Sequence, residues 1–228
     1  MVESPSTPLE LEILQRHLAD LSPPLFELPD RQLRAAGVFV CFERDGGGPG
    51  AAGDMGWAGA ALVEGDCLLE SATITGTAGA AYQPGLLGLR EGPLLAAAVR
   101  QLREPFDVLL VNATGRDHPR RAGLALQLGA HLDVPTIGVT HRPLLAEGSW
   151  PTEQQRGART TLVIEEEVVG YWIRTRSDCR PLAIHAAWRT RPDRATELIL
   201  GFATHARTPE PLRQARRLAR EARATGAV

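Results

Sequence analysis

The chain has 228 residues, 43% of them apolar, which suits one folded domain with its own core and leaves too little chain for a second full one. A net charge of −2 excludes wholesale capture of a polyanion, so any contact with nucleic acid must come from local patches. The cysteines Cys41, Cys67 and Cys179 show no C-x-x-C spacing, which argues against a disulfide framework or a zinc site; no apolar run reaches the roughly 18–20 residues of a membrane span, so a cytoplasmic chain is expected.

Leu11, Leu14 and Leu18 fall at helical spacing, which predicts an amphipathic helix over 8–20, ended by Ser22-Pro23-Pro24. Strand-like runs follow at 35–43, 57–64 and 67–75, the first two joined by a glycine-rich segment from Asp45 to Gly56, which predicts an antiparallel meander. That segment lacks the lysine and following helix of a phosphate-binding loop. Leu94, Leu95, Ala98, Val99 and Leu102 then mark a helix over 92–103, with Pro93 in its first turn. A strand at 107–111, a helix at 119–131 and a strand at 135–139 continue in the alternation that implies parallel pairing. Strands are expected at 161–169 and 181–186, and helices at 192–206 and 210–224, the last opened by Thr208-Pro209-Glu210-Pro211. Three meander strands followed by alternating helix and strand predict an α/β, ribonuclease H-like fold with a mixed central sheet flanked by helices. The single domain divides into an N-terminal helix and linker (1–30), a core (31–145) and C-terminal strands and helices (146–228).

All the Lys or Arg residues are arginine, and the end of the chain concentrates them: Arg207, Arg213, Arg216, Arg217, Arg220 and Arg223 stand against Glu210 and Glu221. A solvated helix face explains such a run; a phosphate-facing surface is the alternative.

Four segments carry a resemblance. YQPGLLGLREGP at 82–93 places a tyrosine, a Pro-Gly turn and an Arg-Glu pair ahead of a helix; VLLVNATGRDHPRRAG at 108–123 joins a strand to a glycine loop and a His-Pro-Arg-Arg start; AAGVFV at 35–40 and DVPTIGV at 133–139 complete the order. Together they resemble the endonuclease V family from about Arg34 to Leu145, and more weakly from Ile184 to Ala219. The resemblance implies cleavage of DNA, or RNA in some members, at the second phosphodiester bond 3′ to inosine, with Mg²⁺ or Mn²⁺ held by carboxylates.

At the positions where the family carries those ligands, Glu91 matches the family glutamate, but Phe39 and Asn112 stand where aspartates are expected, and Arg216 where an aspartate or histidine lies near the metal. His141, with Arg142 beside it, replaces a family lysine. On this resemblance Glu91, Asn112 and His141 form the catalytic set, with Glu91 and Asn112 holding the metal. One carboxylate is left, so affinity for a hard cation is sharply weakened. Glu43 and Asp117, in the loop after Asn112, are candidate substitutes, but Glu43 lies about 13 Å along the strand from Phe39 and cannot replace it without rearrangement.

The recognition set is better preserved by the same resemblance. Tyr82 is the wedge that fills the gap left by a rotated base; Pro84, Gly85, Leu87, Ala113, Gly115 and Gly123 line the base pocket; His118, Arg120 and Arg121 meet phosphate at a helix start. A monomer binding inosine-containing DNA, or RNA, is expected. A binding protein without nuclease activity is the rival, and a small-molecule enzyme on the same fold has no supporting motif.

Overall fold

The computed structural model describes residues 5–43 and 48–226; residues 45–47, at the start of the glycine-rich segment, lie outside it. Thr7 opens the first helix, α1 (Pro8–Asp20), through a reciprocal capping box with Glu10. The meander follows as β1 (Arg34–Phe42), β2 (Met55–Glu64) and β3 (Cys67–Thr77), all antiparallel. Next come α2 (Leu87–Val99), β4 (Val108–Val111), α3 (Leu124–Leu132) and β5 (Thr136–Thr140). The last third supplies β6 (Arg159–Ile164), β7 (Glu167–Ile173), β8 (Leu182–Ala186), α4 (Pro192–Phe202) and α5 (Glu210–Thr225).

One sheet takes all eight strands in the order β3-β2-β1-β4-β5-β8-β7-β6, with β1–β4 and β4–β5 parallel. Its first five strands form the expected ribonuclease H-like core. Side-chain alternation along the buried strands divides the interior. Ala36, Val38, Val40, Leu109 and Val111 pack toward α1, α2 and α3; Ala35, Val108, Leu110, Ile137 and Val139 pack on the face covered by α4 and α5. Phe39 and Asn112 share the parity of the second set, so both side chains are directed to the α5 side.

Two glycines let α5 lie directly on the sheet. A Cβ at Gly37 would come within 2.3 Å of the Pro211 backbone, and one at Gly59 within 2.5 Å of the Ala215 carbonyl oxygen. This close approach, with Ala215 and Ala219 buried against the strands, fixes where Arg216 points.

Three expected boundaries are corrected. The helix placed at 92–103 begins at Leu87 and ends at Val99, so Pro93 and Glu91 lie inside it rather than in its first turn. Pro93 cannot donate to the carbonyl four residues back, and tertiary packing of Leu89, Leu94 and Leu95 carries the helix through it. The helix placed at 119–131 starts only at Leu124, because Arg121 adopts a left-handed φ of 54° that no helix tolerates. The run 161–169 is not one strand but a hairpin, turned by Glu165 and Glu166 at φ 49° and 70°. No helix among the described residues is long and apolar enough to cross a membrane.

Candidate functional site

The segment between β3 and α2 is held from below by one carbonyl. The Gly85 oxygen accepts from Gln15 Nε2 (3.0 Å), Arg120 Nη2 (3.0 Å) and His118 Nε2 (3.1 Å). Gln15, fully buried on α1, also accepts from Arg120 Nε through Oε1 at 2.5 Å. His118 Nδ1 accepts the Arg120 amide, which leaves the proton on Nε2, and burial lowers the His118 pKa to about 4. His118 and Arg120, expected at phosphate, are therefore committed to the turn. Arg121, the third of that set, reaches away to Glu167 (3.2 Å) and the Ile164 carbonyl on the β6–β7 hairpin.

A second staple fixes the approach to Tyr82. Arg90, buried on α2, donates to Asp54 (2.7 Å) and to the Ala51 and Ala80 carbonyls, and its guanidinium lies 4.2 Å from the Phe42 ring centroid. The loop so tied accepts the Tyr82 amide at Gly50 (3.0 Å). Tyr82 itself is 45% exposed, a large ring standing in solvent on a braced turn.

Behind that ring lies a cavity of about 200 Å³. Tyr82, Pro84, Gly85, Leu87, Asn112 and Ala113 are among the residues that line it. Gly115 and Gly123 do not reach it. They stand behind the wall, where a Cβ at Gly115 would strike the Ala186 carbonyl and one at Gly123 the Thr114 carbonyl. Further lining residues, Gln127 and Thr140 among them, were not evident from the sequence. Gln127 donates through Nε2 to the Ala122 carbonyl (2.8 Å), which turns Oε1 toward Gly88, where even a Cβ would meet it at 2.2 Å.

The carboxylate positions tell a different story. Arg216 donates to Asn112 Oδ1 at 3.1 Å and its guanidinium lies 5.1 Å from the Phe39 ring centroid. Arg216 thus touches both of the other positions, and its guanidinium lies against Asn112 and Phe39. Arg216 Nε is buried without a partner, and burial, with Arg220 and Arg207 nearby, lowers its pKa; the group remains cationic.

Glu91, the surviving carboxylate, makes no hydrogen bond or ion pair among the described residues. It lines a neighbouring cavity of about 640 Å³ with Glu43, Asp54, Arg90 and Tyr82, so Tyr82 borders both spaces. Burial raises the Glu91 pKa to about 7, against a smaller lowering by Arg90. Glu43 is engaged with the Met55 amide at 3.0 Å. Asp117 is fully buried and accepts the amides of Leu144, Leu145 and Ala146 at 2.6–2.8 Å, which shapes the loop after β5. Both carboxylates are thus already engaged with backbone amides. No group of three His, Cys, Asp or Glu side chains that could hold a metal ion occurs among the described residues. The residues present do not fit Mg²⁺ or Mn²⁺: an amide oxygen already bonded to a guanidinium and a carboxyl that burial holds toward its neutral form supply neither the charge nor the ligand number.

His141, expected to assist at phosphate, stands exposed just beyond Thr140. Partial burial, followed by the Arg207 and Arg216 charges, lowers its pKa. On α5 most arginines are spoken for: Arg213 pairs with Glu210, Arg217 with Glu221, and Arg223 donates to the Phe42 carbonyl.

Comparison with known proteins agrees with this architecture. The family model described as Endonuclease V matches residues 50–217. Endonuclease V of Methanopyrus kandleri is 43% identical over 154 residues, 67% of this chain and 66% of that protein, just under two thirds of its length. The crystal structure of Endonuclease V from Streptomyces avermitilis superposes with a TM-score of 0.84 at 29% identity, covering 99% of this chain and 96% of that one. Endonuclease V of Ciona intestinalis, solved with a 24mer DNA containing an inosine followed by a ribo-adenosine, shares the fold with a TM-score of 0.79 at 18% identity, covering 95% of this chain and 97% of that one.

Proposed function

The chain belongs to the endonuclease V family, and from that premise we propose that it is a DNA-repair protein that captures deaminated purines, inosine above all, without metal-assisted strand cleavage. The observation that carries the proposal is the cavity of about 200 Å³ behind an exposed, braced Tyr82. Rotating a base out of a duplex costs a few kcal/mol, and a rigid ring ready to fill the vacated stack offsets part of that cost. Because Gln15, His118 and Arg120 already hold the turn, little further ordering is needed on binding.

Chemistry at the slot supports hypoxanthine over adenine. Hypoxanthine carries a proton on N1, whereas adenine N1 is itself an acceptor. Gln127 Oε1, an acceptor held in place by the hydrogen bond that Nε2 of the same side chain donates to the Ala122 carbonyl, pairs with the first and repels the second. Outside the slot, Arg216 supplies at Asn112 the positive charge that a divalent ion supplies elsewhere, as a fixed anchor for the phosphate beside the rotated base. Binding then needs no added cation. A guanidinium generates no nucleophilic water, so binding is not followed by hydrolysis. The protein acts as a cytoplasmic monomer with one domain.

The test is binding of the purified protein to an inosine-containing duplex and to a matched control. A preference for inosine is expected in the presence of a chelator, with no nicked product. Equal affinity for both duplexes removes lesion capture as the role, a nick at the second phosphodiester bond restores the enzyme, and preference for inosine in RNA redirects the substrate.

A further inference from the structure

On the far side of the β5 terminus from the base slot lies a second pocket, of about 600 Å³, that the recognition described above does not use. Thr140 lines the slot and the next residue, His141, lines this pocket, so the two spaces flank one strand end. Its remaining walls are Arg142, Trp150, Trp172, Arg180, Pro181 and Arg207. Cations and aromatic rings make up nearly all of the lining, and it contains no carboxylate.

The pocket is built rather than incidental. Trp172 is buried and donates through Nε1 to the Gly148 carbonyl (3.0 Å); Trp150 meets it edge to face at 6.0 Å between centroids, yet remains 49% exposed. A half-exposed indole braced by a buried one presents a rigid apolar platform. Arg174, buried beneath, ties both lips together by donating to the Pro151 and Glu153 carbonyls on one side and the Cys179 carbonyl on the other. Arg207 in turn donates to the Arg180 and Pro181 carbonyls, while its own carbonyl accepts from Thr175. The backbone that carries Trp150 and Arg180 is thus cross-braced, while the Arg142 and Arg180 side chains stand exposed at the rim.

We propose that this pocket is a second nucleotide subsite, in which an unpaired base of the strand leaving the lesion stacks on Trp150 while its phosphate lies between Arg142 and Arg180. An aromatic face accepts any base, and flanking cations follow the backbone; that pairing of groups is what single-stranded nucleic acid requires. The site extends the lesion-binding reading along the same strand and rests on it for its direction, but not for its existence. It also accounts for charge that a chain of net −2 otherwise has no reason to gather in one cleft.

The experiment follows tryptophan emission and the anisotropy of a labelled probe while a short oligothymidylate, which has no deaminated base, is added to the full chain. Saturable quenching is expected, and Trp150→Ala weakens binding by about tenfold, the scale of one base stack. Trp150→Phe retains most of the affinity while losing the emission change, and far-ultraviolet circular dichroism of each variant reports that it is folded. Absence of saturable quenching, an undiminished signal and affinity in Trp150→Ala, or equal binding of polyglutamate overturns the subsite. The inosine-to-control ratio measured on duplexes reads the slot separately: loss of that ratio with oligothymidylate binding intact removes lesion capture and leaves the subsite, and the converse leaves the slot alone.

Discussion

The base slot and the cation site lie within a few residues of each other, joined at Ala113 and Asn112, yet they have fared differently. The slot is held by redundant bonds: three donors converge on Gly85, and Arg90 ties four partners beneath Tyr82. At the expected cation site, by contrast, stand a neutral ring, an amide and a guanidinium, Phe39, Asn112 and Arg216, with the guanidinium in contact with the other two. On the function proposed above, the contrast means that recognition and cleavage are separable properties of this scaffold. Recognition depends on backbone shape and packing, whereas cleavage depends on a charge count that three substitutions reverse.

The sharpest way to break the contrast is to restore the cation site. Phe39→Asp with Asn112→Asp alone places two carboxylates against Arg216, whose guanidinium offsets one of the two charges and engages their oxygens, so Mn²⁺ affinity measured by calorimetry stays low. Adding Arg216→Ala frees them, and affinity rises by on the order of a hundredfold. An equal gain in the double variant would show that Arg216 does not occupy the ion's place.

At the slot, Gln127→Leu keeps side-chain volume but removes the acceptor. The preference for inosine over adenine narrows by about tenfold in competition binding; an unchanged preference assigns discrimination to the backbone alone.

The smallest effect concerns stability. The Glu91 carboxyl, raised from its ordinary 4.5 to about 7, takes up a proton on folding, so its burial costs progressively more as pH rises from 4.5 to 7 and reaches its full cost above 7. Glu91→Gln is therefore expected to be more stable than the parent at pH 8, by about 1–3 kcal/mol, and equal to it below pH 4.5, in denaturant titrations. A variant less stable at pH 8 would mean that the ionised carboxylate has a partner in solution.

Much of this was legible in the sequence, for identifiable reasons. Apolar and β-rich runs gave β1, β2, β4 and β5, and the block from Tyr82 to Pro93 includes residues that line the slot, because composition and turn chemistry are written locally. That Phe39 and Asn112 supply no carboxylate was also legible. What escaped was set by contacts distant in sequence. Gln15 lies seventy residues from the Gly85 carbonyl it holds, although a glutamine inside the Leu11–Leu18 stripe was a visible anomaly. His118 and Arg120 resemble phosphate ligands by composition, and only the fold shows them turned onto a carbonyl. The meeting of Arg216 with Asn112 spans 104 residues and needed the close seating of α5 that Gly37 and Gly59 permit. The β6–β7 turn was hidden because Glu165 and Glu166 are not residues that announce a left-handed pair.

On the proposed function, the lesion slot binds without a metal ion beside Arg216. Competition binding of an inosine duplex against its matched control, run once with a chelator and once with Mn²⁺, tests it most directly. The account predicts the same inosine preference in both and no strand cleavage in either; a preference that arises only with Mn²⁺, or a nick beside the lesion, would contradict it.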